Sequence, residues 1–247
     1  MRAATNTSAV LLLVLAGCGR AAAALAPVEP LPSHRAVVCD ASDSGRGASC
    51  TPGALARVGR EWGREAVDAP RSTLVVVLAG RSRSDATVLL RGEVPATWGP
   101  GLRARQMAWQ RDLLTRLQMR DEGRAGSAVL EAVHVAWGML PADGARSLRV
   151  LSDLREVSGD RAHNLERRVP RADRFDAWIE RSGLRVDLHG ADVRVCGLHH
   201  HDAPGAPGFG ARRDAALRAL WEGVFRASGA TALTLTAVCE EDAVATR

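Results

Sequence analysis

The chain has 247 residues, 46% of them hydrophobic and 25% charged, which is long enough to bury a full core in one domain. Its formal charge is +5, and every one of its 33 basic residues is arginine. The arginines alternate with acids and form no basic stripe with interleaved aromatics, so the composition points away from nucleic acid as a partner.

The first segment reads as an export signal. Arg2 precedes an apolar run from Ala9 to Ala16 that is too short to span a bilayer and has the size of a signal-peptide core. It ends in Leu15-Ala16-Gly17-Cys18, which resembles the lipobox of bacterial lipoproteins. The resemblance implies a signal peptide over 1–17, with Cys18 acylated as the first mature residue. Acyl chains would hold the protein at a membrane surface, because each buried methylene contributes about 0.8 kcal/mol. Cleavage after Ala24-Leu25-Ala26, before Pro27, is the non-lipidated alternative. Both alternatives export the chain, so the expected location is extracytoplasmic, in the cell envelope. Residues 18–34 are rich in Ala and Pro and read as a tether, 35–240 as one domain and 241–247 as a tail. Export also makes disulfides the expectation for the remaining cysteines, Cys39, Cys50, Cys196 and Cys239, which allow three pairings. The competing reading for Cys39 and Cys196, both in strand-like runs, is that of small buried hydrophobes.

In chain order, RAVVCD (35–40) is a short buried strand. Residues 52–67 carry Leu55, Val58, Trp62 and Ala66 at helical spacing, with Pro52 in the first turn. STLVVVLAG (72–80) is a continuous apolar strand, as expected in a sheet covered on both faces. ATVLLRG (86–92) follows after the polar turn RSRSD, close enough to pair antiparallel and lie at an edge. Residues 103–119 read as an amphipathic helix through Met107, Leu113, Leu114 and Leu117, and 126–140 as a largely buried one. RSLRVLSD (146–153) is a strand, 171–182 a helix, ADVRVCGL (191–198) a strand, 211–228 a helix and ATALTLTAV (230–238) the last strand. Alternating strands and helices predict an α/β fold, a doubly wound, mostly parallel sheet of about six strands with helices on both faces.

Such sheets bind ligands at the carboxyl ends of strands, near the point where strand order reverses. Two strands end in Asp, at Asp40 and Asp153, and Gly126-Ser127 opens a buried helix between them. Asp40-Ala41-Ser42-Asp43-Ser44 has the D-x-S-x-S form of the metal-ion-dependent adhesion site of von Willebrand factor A domains. Gly126-Ser127-Ala128 looks like that family's Gly-Thr loop, and Asp153 in VLSDLRE falls where the family places its last metal-contacting Asp. The resemblance covers about 35–238, the three loops in order. It implies a von Willebrand factor A-like, Rossmann-like domain holding Mg²⁺ or Mn²⁺ through Ser42, Ser44 and Ser127, with Asp40 and Asp153 acting through water or directly. A hard divalent cation suits oxygen donors, and with few direct carboxylates it keeps net positive charge. An open coordination position can then accept a carboxylate from a protein partner. Asp40 is expected at the rim rather than in the core. The chain departs from the family in having Ser127 where Thr is usual, and in the Gly-rich segment GRGASC (45–50), which would shape or cover the binding face.

Other motifs are weaker. GLHHHD (197–202) beside Cys196 contains possible zinc ligands, but neighbouring histidines on a loop cannot all face one ion. GRSRS (80–84) lacks the final Gly of a nucleophile elbow, and GAPGFG (205–210) lacks dinucleotide-binding spacing. His134 lies in an apolar helix, and Trp62, Trp137, Trp178 and Trp221 occupy apolar helical positions that predict core. The expected function is thus a non-enzymatic, membrane-anchored binding protein. The alternatives are a metal-free interaction domain of the same fold and a serine-dependent hydrolase using Ser42 or Ser44.

Overall fold

The computed structural model describes residues 30–40, 50–80, 83–95, 101–118, 127–155, 164–165, 168–198 and 209–237. Strands β1 (Ser33–Asp40), β2 (Thr73–Ala79), β3 (Thr87–Glu93), β4 (Ala145–Leu151), β5 (Asp192–Cys196) and β6 (Ala232–Thr236) alternate with helices α1 (Pro52–Ala66), α2 (Leu102–Gln118), α3 (Val129–Gly138), α4 (Ala172–Arg181) and α5 (Phe209–Ala227). They form one six-stranded sheet in the order β3-β2-β1-β4-β5-β6. Every neighbouring pair is parallel except β2–β3, which is antiparallel and puts β3 on an edge as the short polar turn predicts.

Burial follows position in the sheet. β2 is buried at every residue and β1 at all but its first, so both read as unbroken apolar runs. Both edge strands are more exposed, and β6 alternates between exposed and half-buried residues. One face packs Ala36, Val38, Val75, Val77, Leu148, Val150, Val193 and Val195 against α3, α4 and α5. The other packs Val37, Cys39, Leu74, Val76, Leu78 and Leu151 against α1. The period of two along each strand thus divides its residues between two cores.

Helix α1 starts because Thr51 Oγ1 accepts the Ala54 N–H at 3.1 Å and Pro52 supplies a first-turn residue with no N–H to satisfy. Its apolar stripe, Leu55, Val58, Trp62 and Ala66, is buried on the sheet, and Trp62 Nε1 donates to the Ser33 carbonyl at 3.1 Å. The four tryptophans expected in the core are there. Trp178, Phe175, Trp221 and Phe225 form a chain of ring contacts, in that order, with centroids 5.3, 6.0 and 5.6 Å apart, joining α4 to α5.

Helix α2 departs from expectation. It lies outside α1, with Trp109 tilted against Trp62 at 5.3 Å and Gln110 Nε2 bonded to the Gly63 carbonyl at 3.2 Å. Met107, expected on its buried face, is 61% exposed. A helix in a third layer needs only a narrow contact, so helical spacing of apolar residues does not there mean burial.

Candidate functional site

The chain runs outward from β1 to β3, then returns to the other side of β1 with β4. Strand order therefore reverses between β1 and β4, the position at which sheets of this kind bind ligands beyond the carboxyl ends of their strands. Asp40 closes β1, and Cys39 stands in register with Leu151, which brings Asp40 opposite Ser152. Ser152 Oγ donates to Asp40 Oδ2 at 2.8 Å and accepts the Leu154 N–H at 2.9 Å. The Ser152 N–H in turn donates to the Cys196 carbonyl at 3.0 Å, fixing the turn to β5.

Asp153 follows, 3% exposed. Its Oδ1 accepts the Arg155 N–H at 3.0 Å, while its buried Oδ2 has no hydrogen-bond partner among the described residues. Among the described residues, Arg155 Nε lies 3.6 Å from that Oδ2, and Arg155 Nη2 lies 3.7 Å from Asp214 Oδ1 on α5. Ser127, just before α3, donates its hydroxyl proton to the Arg155 carbonyl at 2.9 Å, and the Ala128 N–H donates to the Gly80 carbonyl at 2.9 Å. The ends of β2 and β4 and the start of α3 are thus tied to one spot.

Leu154, in the middle of this turn, has φ +60° and is fully buried. A left-handed conformation costs a bulky residue about 1–2 kcal/mol, so the surroundings must impose it. They do so from both sides. The Leu154 N–H is held by Ser152 Oγ, and its carbonyl accepts Trp221 Nε1 at 3.0 Å in the core.

Asp40, Ser127 and Asp153, from three separate segments of sequence, are brought together at the switch point. Ser42, Ser44 and Gly126 lie outside the described residues, as do Cys18, Cys239 and the histidines at 199–201. One expectation is corrected. Asp40 is fully buried, not at the rim, because β4 continues into Ser152, which packs beside it. Sequence reasoning also missed Ser152, Arg155 and Asp214. Ser152 was visible as a polar residue at a strand end, but its role depends on a register that no local pattern reveals.

The cysteines resolve in part. Cys39 and Cys50 are disulfide-bonded, with Cα atoms 5.3 Å apart. The crosslink closes a loop over 40–49, the segment that carries Ser42 and Ser44. Cys196 is also disulfide-bonded, which removes it as a thiolate ligand for the histidine loop. His134 is half-buried, and burial together with the charge of Arg83 lowers its pKa.

The donor set suits a hard cation. Among the described residues no three His, Cys, Asp or Glu side chains gather as a metal cluster, so any ion here would rely on hydroxyls as well as carboxylates. Ser127 gives away its proton and keeps lone pairs for an acceptor role. A buried carboxylate oxygen left without a donor costs about 1–3 kcal/mol or more, a cost that a cation beside Asp153 Oδ2 would offset. Asp40, Ser127 and Asp153 would hold the ion from the described part of the chain. The ion would supply a positive centre that polarises and binds an anionic oxygen.

These features define a doubly wound α/β protein with one antiparallel edge strand and buried carboxylates at its switch point. No family model matches the chain, and no curated protein matches it. Among solved structures, the pilus adhesin SpaC from Lactobacillus rhamnosus GG matches with 11% identity over 87% of this chain, at a TM-score of 0.46. The match spans only 29% of the adhesin. The conserved hypothetical protein BatB from Bacteroides thetaiotaomicron matches with 13% identity over 84% of this chain and 90% of its own, at a TM-score of 0.39. Proximal thread matrix protein 1 from the mussel byssus matches with 11% identity over 85% of this chain and 45% of its own, at a TM-score of 0.37. Likenesses this distant assign neither a family nor an activity.

Proposed function

We propose that the chain is an extracytoplasmic binding protein, anchored to a membrane through acylated Cys18, that engages a protein partner through a divalent cation and a carboxylate of that partner. Mg²⁺ or Mn²⁺ is held by Asp40, Ser42, Ser44, Ser127 and Asp153. The observation that carries this reading is the buried Asp153 Oδ2, which has no hydrogen-bond partner among the described residues and stands in the turn after β4, where Ser152 bonds Asp40 and Arg155 bonds Ser127. The described serines of the site act as positioning groups. Ser127 commits its proton to the Arg155 carbonyl and Ser152 to Asp40, so each serves to position neighbours. No helix among the described residues is long and apolar enough to cross a membrane.

A second reading has its own observation. Arg155, 3.6 Å from Asp153, already places a positive charge near the orphan oxygen, which favours a metal-free interaction domain. Capture from solubilised envelope membranes separates the two. Under the metal reading, a partner retained in Mg²⁺ is released by chelator, retained again on adding Mn²⁺, and absent from Asp153→Ala. Equal capture in Mg²⁺ and chelator would support the metal-free domain instead.

A further inference from the structure

The turn after β4 brings a cation of the chain's own to Asp153. Arg155 is held firmly through its backbone, whose N–H donates to Asp153 Oδ1 and whose carbonyl accepts Ser127 Oγ. Its guanidinium is held much less closely. It stands 3.6 Å from Asp153 and 3.7 Å from Asp214, both beyond good hydrogen-bond length. A guanidinium committed to one carboxylate makes two short, parallel bonds. Arg155 is instead divided between two acids, with its side chain 15% exposed and those of Asp153 and Asp214 1% and 12% exposed.

We propose that Arg155 is the resident counter-cation of this site. It neutralises Asp153 when no ion is bound, competes with a divalent ion for Oδ2, and passes to Asp214 when the ion arrives. The inference rests on the reading of Asp153 as a metal ligand. With an ion on Oδ2, two positive groups would face one carboxylate, and their repulsion in a poorly solvated site drives the guanidinium toward its second acid. Asp214 Oδ1 is already 3.7 Å from Arg155 Nη2. The affinity of the site is then a difference between two occupants of the same oxygen, and Asp214 tunes it from another helix.

Two substitutions should move affinity in opposite directions. Arg155→Met removes the charge and keeps most of the stem, and should tighten Mn²⁺ and Mg²⁺ binding by about tenfold, the scale of one partly buried ion pair. Asp214→Asn removes the alternative partner, commits Arg155 to Asp153, and should weaken binding by a similar factor. Calorimetric titration of the full chain with each ion gives the affinities. Melting in chelator checks folding, and Arg155→Gln substitutes for Arg155→Met if that variant fails to fold. Opposite shifts support the proposal, because general damage would weaken binding in both variants. A silent wild type whose Arg155→Met variant binds the ion also supports it. A wild type whose binding is lost in Asp153→Asn but is no tighter in Arg155→Met or Arg155→Gln overturns this inference and leaves the metal reading standing. No binding in any variant, or binding indifferent to Asp153→Asn, overturns both.

Discussion

Breaking the Cys39–Cys50 crosslink by Cys50→Ala should destabilise the domain without disturbing its sheet. Cys50 is the side to change, because Cys39 is fully buried among Val37, Leu74 and Val76, and can remain there as a packed thiol. The crosslinked residues are 11 apart in sequence. Loop-closure entropy for a loop of that size gives a loss of about 3 kcal/mol. In a chain of this length each kcal/mol moves the melting midpoint by about 2–4 °C, so the expected fall is about 6–12 °C. Thermal and urea unfolding would be followed together by near- and far-ultraviolet circular dichroism. The substitution isolates this crosslink where a reductant would not, because Cys196 is disulfide-bonded too. The same loop carries Ser42 and Ser44, so loosening it should also weaken Mn²⁺ binding. A midpoint within about 2 °C of wild type would refute the loop-closure argument. A clear destabilisation with unchanged ion affinity would show that the crosslink serves the fold alone.

Two further effects follow from groups outside the site. His34 is buried, and its Nδ1 accepts the Thr73 N–H at 3.2 Å, so it must stay neutral. Burial pushes its pKa below the ordinary 6.5, with Asp143 and Glu93 opposing and Arg146 reinforcing the shift. The unfolded chain therefore takes up the proton first, and His34's contribution, fully present above pH 6.5, is lost as pH falls toward its folded pKa. Urea midpoints should drop between pH 7 and 5 in the wild type and drop less in His34→Gln; parallel curves would contradict this. Trp221→Phe keeps the ring contacts but leaves the Leu154 carbonyl without its buried donor, and should cost about 1–3 kcal/mol by urea unfolding. A loss under about 0.5 kcal/mol would mean that the Leu154 turn is not held from the core.

The fold was legible wherever local pattern decides it. The unbroken apolar run of β2 marks a central strand, and the brief polar turn before β3 marks an antiparallel edge, because in both cases burial is written into neighbouring residues. What depends on register or on distant partners was not legible. Asp40 looked like a rim residue because nothing near it in sequence says that Ser152 will extend β4 alongside it. The pairing of Cys39 with Cys50, one of three combinations, needed their Cα separation. Met107 sits at a helical apolar position but faces outward, because α2 packs mainly on another helix and meets the sheet only along its edge strand β3. Asp153 was legible as an acid at a strand end. Its orphan oxygen and its competitor Arg155 were not, since both depend on how the turn after β4 closes against Ser127 and Asp214.

The central claim is that a divalent cation sits at the carboxyl ends of β1 and β4. It is tested most directly by growing crystals in Mn²⁺ and measuring anomalous scattering. The account predicts a single strong peak beside Asp153 Oδ2, within reach of Asp40 and Ser127, that disappears in Asp153→Asn crystals grown the same way. A well-ordered site with no peak at millimolar Mn²⁺ in either the wild type or Arg155→Met would contradict it.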